Sequence, residues 1–173
     1  MSVDWLKLVL RVIHIFSGIF WVGSTFFLSG FLGGAVKATA PEGGKVMQYI
    51  LARTRFLFWI SAASALTFLS GLVLYDQVSG GFQLAWIRTP AGIALSLGAV
   101  FGLLAFLHGF LTVGRANLRA AAIAKQLLAA GGPPRPEQAA ELAQLQAKVA
   151  VNSRILAYIL AIAVLGMAIQ EAL

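Results

Sequence analysis

The sequence predicts an all-α integral membrane protein: a four-helix bundle with both termini outside and with helices 3 and 4 extending into the cytoplasm as a hairpin. Three observations carry this. Of 173 residues, 60% are hydrophobic and 11% charged, and the mean hydropathy is +0.87, a composition suited to a bilayer rather than to an aqueous globule. The charges are bunched, which leaves apolar stretches long enough to cross about 30 Å of hydrocarbon as helices. The basic residues are also unevenly shared among the connections between those stretches.

The first span runs from Trp5 to Val36, and within it Val12 to Val36 is 25 consecutive positions without Asp, Glu, Lys or Arg. That run is far longer than the apolar core of a secretory leader, and no A-x-A-like site closely follows it, so it reads as a retained helix. The second span, Phe56 to Tyr75, lies between Arg55 and Asp76; the third, Thr89 to Gly114, lies between Arg88 and Arg115. Pro90 suits a first helical turn and Thr89 an N-cap. The fourth, Ile155 to Leu173, has 16 uncharged residues before Glu171, and Arg154 and Glu171 are placed to reach the two interfaces. Between the last two spans, Arg115 to Ala130 is rich in strong helix formers and stops at Gly131-Gly132-Pro133-Pro134. Glu137 to Lys148 restarts as an amphipathic helix, so residues 115–154 form the hairpin. A surface helix is expected around Val46 to Ala52. The whole chain, 1–173, is one transmembrane domain.

Orientation follows from counting. The 36–55 loop and the 115–154 connection share one side and carry ten Lys and Arg residues, against Lys7, Arg11 and Arg88 on the other. The richer side is cytoplasmic, which places both termini outside a bacterial inner membrane. The net charge of +7 is then accounted for by orientation and anionic head groups rather than by nucleic acid. The absence of cysteine removes disulfides and thiolate chemistry together.

His14 is the residue that asks for chemistry, because an ionisable group at membrane depth is costly and marks a functional site by default. Helical spacing puts His14, Gly18, Trp21, Thr25 and Leu28 on one stripe, with Arg11 one turn before the imidazole. Gly18 leaves room beside the ring, and Arg11 suits a carboxylate at the outer surface. On the third helix Phe101, Ala105, His108 and Thr112 line up, while Gly98, Gly102 and Gly109 supply small surfaces. Two intramembrane histidines on different helices of a four-helix bundle point to haem b, with His14 and His108 as candidate metal ligands.

The segment RVIHIFSGIFWVGSTFF, a His followed seven residues later by Trp-x-Gly, resembles the first helix of a group of four-span bacterial membrane proteins. The group comprises the copper-resistance D type, the membrane domain fused to some urate-oxidation proteins, and the integral-membrane protoporphyrinogen oxidase. The likeness covers about positions 10 to 30; beyond it lies only a shared four-span layout. It implies that His14 ligates haem or is functionally required, with Trp21 and Gly23 as part of the motif.

Depth separates the two histidines. At about 1.5 Å per residue, His14 lies roughly 13 Å and His108 roughly 27 Å below the outer surface, whereas the axial nitrogens of one haem lie only about 4 Å apart. One shared site therefore needs a shifted boundary or strong tilt. The alternative is separate sites, each completed by a residue such as Met47 or Met167, or by another subunit. A bland reading stands beside these: His14 hydrogen-bonds a hydroxyl such as that of Ser64 or Thr67, and His108 only packs.

The function expected is a membrane-embedded b-type cytochrome carrying electrons, alone or as a subunit of a redox complex. The alternatives are a copper or proton transport element, for which the three methionines form no ladder, and a cofactor-free assembly subunit docked through the hairpin. No nucleophile–base pair, paired carboxylates or phosphate loop is present, which disfavours hydrolysis and phosphoryl transfer and leaves enzyme status open. The bilayer is one partner, a redox partner a second, and the small glycine faces favour homo-oligomers.

Overall fold

In a computed structural model that describes residues 4–173, the protein is 89% helical with no strand among the described residues. Six helices follow in order: α1 Trp5–Ala38, α2 Glu42–Arg53, α3 Phe56–Ser79, α4 Leu84–Ile87, α5 Pro90–Ala130 and α6 Pro136–Ala172. Four of them, α1, α3, α5 and α6, are long and apolar enough to cross a membrane, as the charge spacing predicts.

Helix boundaries follow local chemistry. The Thr89 hydroxyl accepts the Gly92 amide hydrogen at 3.0 Å and so caps α5, with Pro90 in the first turn, where its missing N–H is not needed. Gly131 ends α5 in a left-handed conformation (φ 66°), and its amide closes onto the Leu127 carbonyl at 3.1 Å, a termination glycine makes without steric cost. Pro136 opens α6. The surface helix is longer than Val46 to Ala52: α2 begins at Glu42, whose carboxylate suits the positive end of a helix. The short α4 between the second and third spans carries no periodic signal long enough to predict. Two stretches depart from α geometry. Leu28–Leu32 in α1 and Gly109–Gly114 in α5 widen into π-helix.

The described chain forms two compact units, and each long helix contributes to both. One unit gathers the chain up to Gly23 with Ala62–Leu107 and Ala157–Leu173. Its helices meet through small residues. A Cβ placed on Gly166 would lie 2.8 Å from the Ala94 carbonyl oxygen and from the Gly98 backbone, so α5 and α6 cross with main chains in contact. Ala105 is fully buried nearby in sequence, and Leu160 and Ala163 face inward on α6. Phe68 and Phe106 stack with centroids 4.7 Å apart. Many large apolar side chains point outward, Phe16 at 72% and Ile19 at 66% exposure among them, as lipid-facing positions should.

The other unit holds Ser24–Ser61 and His108–Leu156. Ala120, Ile123 and Leu127 of α5 pack on Leu142 of α6, with Leu51 of α2 and Leu145 against them. Arg119 donates from Nε to Glu141 at 2.6 Å and from Nη2 at 3.2 Å, joining the two helical arms expected of the hairpin. Leu127→Ala leaves a hole in this small core, and we expect a loss of about 2–3 kcal/mol, read as a lowered unfolding midpoint in detergent.

Candidate functional site

The site is built where α1 meets α3. Ser17 donates its hydroxyl to the Ile13 carbonyl at 2.6 Å, and Thr67 donates to the Ala63 carbonyl at 2.8 Å, so both hydroxyls first satisfy their own helices. The two oxygens also lie 2.8 Å apart across the helix interface. A Cβ on Gly18 would meet the Thr67 methyl at 3.6 Å. Gly18 therefore gives its room to Thr67, which brings α3 close to α1 one turn beyond His14.

His14 sits on this crossing. Its Nδ1 donates to the Thr67 carbonyl oxygen at 2.8 Å and lies 3.3 Å from the Ser70 hydroxyl, which is itself occupied in donating to the Leu66 carbonyl at 2.5 Å. A carbonyl only accepts, so Nδ1 carries the proton and Nε2 carries the lone pair. Among the described residues Nε2 has no hydrogen-bond partner. The expected bond to a Ser64 or Thr67 hydroxyl is replaced by one to the Thr67 main chain. The ring lies over Gly71, where a Cβ would come within 2.7 Å of His14 Cε1; a side chain at 71 would displace the imidazole.

A cavity of about 570 Å³ opens beside the ring. Its lining is predominantly apolar and includes His14, Trp21, Phe68, Leu103 and Met167. Tyr75 also faces it, with its hydroxyl 2.6 Å from Ser96 Oγ. Lys7, Arg11 and Glu171 supply its charged edge, and Arg11 Nη2 meets Glu171 Oε1 at 3.4 Å.

The residues singled out from the sequence separate clearly. His14, Arg11 and Trp21 line one cavity, joined by Met167, whereas Gly18 faces Thr67 and Thr25 is buried in the other unit. His108 is not part of the His14 cavity. In the other unit its Nε2 donates to the Asn152 carbonyl at 3.2 Å, and Met47 belongs to that unit as well. The residues that sequence reasoning missed are Lys7, Gly71, Ser70 as a partner of the ring, and Glu171 at the edge. Gly71 carried a usable signal, because a glycine inside a membrane helix marks a place where a neighbour can come close.

Among the described residues no three His, Cys, Asp or Glu side chains come together as a metal site. A bare ion would therefore find one imidazole and little else here, whereas a metal that arrives with its own equatorial donors needs only one or two protein ligands. Comparison with known protein families, curated proteins and solved structures finds no match.

Proposed function

We propose that the chain is a membrane-embedded b-type haem protein that carries electrons, alone or as a subunit of a redox complex, with His14 Nε2 as ligand to the iron. The observation that carries this reading is the locked tautomer: Nδ1 is held by the Thr67 carbonyl at 2.8 Å, leaving the lone pair of the other nitrogen beside an apolar cavity. Metal-ligating histidines are held in this manner by a carbonyl or carboxylate behind them.

The fit extends beyond the ring. A cavity of about 570 Å³ falls within the roughly 300–1,000 Å³ that small-molecule and cofactor sites occupy. Trp21 and Phe68 offer aromatic walls, and Met167 brings a thioether, a known axial partner of histidine, to the same space. When bound there, haem would supply a reversible one-electron couple. The protein's part is to orient the imidazole, keep the ring in apolar surroundings, and present cations at the edge. Electron carriage is favoured over substrate chemistry because, among the described residues, no acid or base is held against the imidazole: Glu171 stands at the exposed edge of the cavity, and the Tyr75 hydroxyl is engaged by Ser96.

The orientation with both termini outside a bacterial inner membrane, and a cytoplasmic hairpin, belongs to this reading and rests on the ten-to-three distribution of Lys and Arg. The deciding measurement is a reduced-minus-oxidised absorption spectrum of detergent-purified protein from cells supplied with haem precursor. We expect a Soret band in the wild type and the same band, at unchanged intensity, in His108→Ala. A colourless preparation refutes the reading; loss of the band in His108→Ala moves the site or adds a second one.

A further inference from the structure

Two charged groups from opposite ends of the chain meet at the edge of the His14 cavity. Arg11 Nη2 touches Glu171 Oε1 through one contact at 3.4 Å, and the two side chains are 56% and 69% exposed. Lys7, one turn before Arg11, lines the same edge and has no ion-pair partner among the described residues. We propose that Lys7 and Arg11 form the receiving site for the acid groups of the cavity's ligand, and that Glu171 is an internal stand-in that a ligand carboxylate displaces from Arg11.

The argument is one of strength and count. A guanidinium binds a carboxylate best through two parallel N–H···O bonds at about 2.7–2.9 Å; the Arg11–Glu171 contact is single and long. An exposed pair of this kind alters an equilibrium by no more than about fivefold, so Arg11 is restrained but not consumed. Among the described residues that line the edge, two cations stand against one carboxylate, a net charge of +1 from Lys7, Arg11 and Glu171, while the Asp4 carboxylate is occupied in accepting the Lys7 amide hydrogen at 3.1 Å. A flat apolar ligand with two acid groups satisfies both cations, one at Lys7 and the other at Arg11, and returns Glu171 to water. A neutral ligand of the same shape leaves the Arg11–Glu171 pair in place and Lys7 unanswered. Glu171 thus sets specificity: the edge rewards a diacid and is indifferent to its ester.

This inference deepens the haem reading, and its test is chosen to work without iron. Purified wild type, Arg11→Gln and Glu171→Gln are titrated at low salt with metal-free protoporphyrin IX and with its dimethyl ester, following porphyrin fluorescence. We expect the wild type to prefer the diacid by roughly tenfold, the scale of one charge-assisted bidentate contact. Glu171→Gln should tighten the diacid by about threefold, the competition of an exposed pair being removed, and leave the ester unchanged. Arg11→Gln should cut the preference to what Lys7 alone supplies, no more than about threefold. Equal affinities in the wild type, an undiminished preference in Arg11→Gln, or weaker diacid binding in Glu171→Gln each overturns the proposal. A parallel titration with haem, in wild type and His14→Ala, tests iron ligation separately: identical Soret positions there defeat the haem reading while the porphyrin ratios still decide the role of Glu171.

Discussion

On the haem reading, His14→Ala is expected to abolish the Soret band of the purified protein while the far-ultraviolet helical signal stays at its wild-type level. The size of the effect follows from the hydrogen bonding. Removing a partner that merely orients a metal ligand costs about 10–100-fold in affinity; removing the imidazole itself should exceed this, because no second histidine lines the cavity. The fold should survive, since the ring is only half-buried and the contact between Ser17 and Thr67 remains to hold α1 against α3. The Thr67 carbonyl lies within the unbroken helix Phe56–Ser79 and loses only its second donor when the ring is gone. A mutant that keeps its Soret band at full strength would show that any pigment is held elsewhere.

The second large effect is one of stability. Gly166→Val should lower the unfolding midpoint by roughly 6–12 °C, corresponding to about 3 kcal/mol in a chain of this size. The neighbours of an added Cβ are the Ala94 carbonyl oxygen and the Gly98 Cα and amide nitrogen, all near 2.8 Å. Main chain cannot rotate aside as a side chain does, so α5 and α6 must separate to admit the branched group. Gly23→Val is the matched control, because nothing lies within 4 Å of a Cβ there. Thermal unfolding in one detergent should place Gly166→Val far below the wild type and leave the control near it. Equal midpoints would mean that the α5–α6 crossing does not depend on small residues.

The spans were legible because they rest on a one-dimensional property: uncharged runs bounded by Arg55, Asp76, Arg88, Arg115 and Arg154 map directly onto helices that cross hydrocarbon. The breaks at Gly131 and Pro136 and the cap at Thr89 were legible for the same local reason. His14 stood out because it is the only ionisable side chain between Arg11 and Lys37. What surrounds it was not legible. The partner of the ring is a main-chain carbonyl, and every residue has one; only the pairing of α1 with α3 selects that of Thr67. The helical stripe assigned the space beside the imidazole to Gly18, one turn along the same helix, whereas that space is made by Gly71 across the interface. The cavity edge likewise joins Arg11 to Glu171, 160 positions apart, a proximity that helical periodicity cannot convey. Sequence reasoning weighed a shared site for His14 and His108 and found their depths in conflict; they belong to different units, and each bonds a carbonyl within its own.

The π-helical stretch after His108 shifts the phase of α5. Each such widening acts as a single inserted residue, and one residue is worth about 100° of rotation around the axis. A projection of α5 that assumes constant pitch is therefore correct on one flank of Gly109–Gly114 and turned by roughly a quarter-circle on the other. Gly114 suits this wider turn, because a Cβ there would stand 3.2 Å from the Gly109 carbonyl oxygen. Without that offset, the alignment of His108 would dictate the heading of Ile123 and Leu127; with it, the two halves of one helix answer to different packing demands.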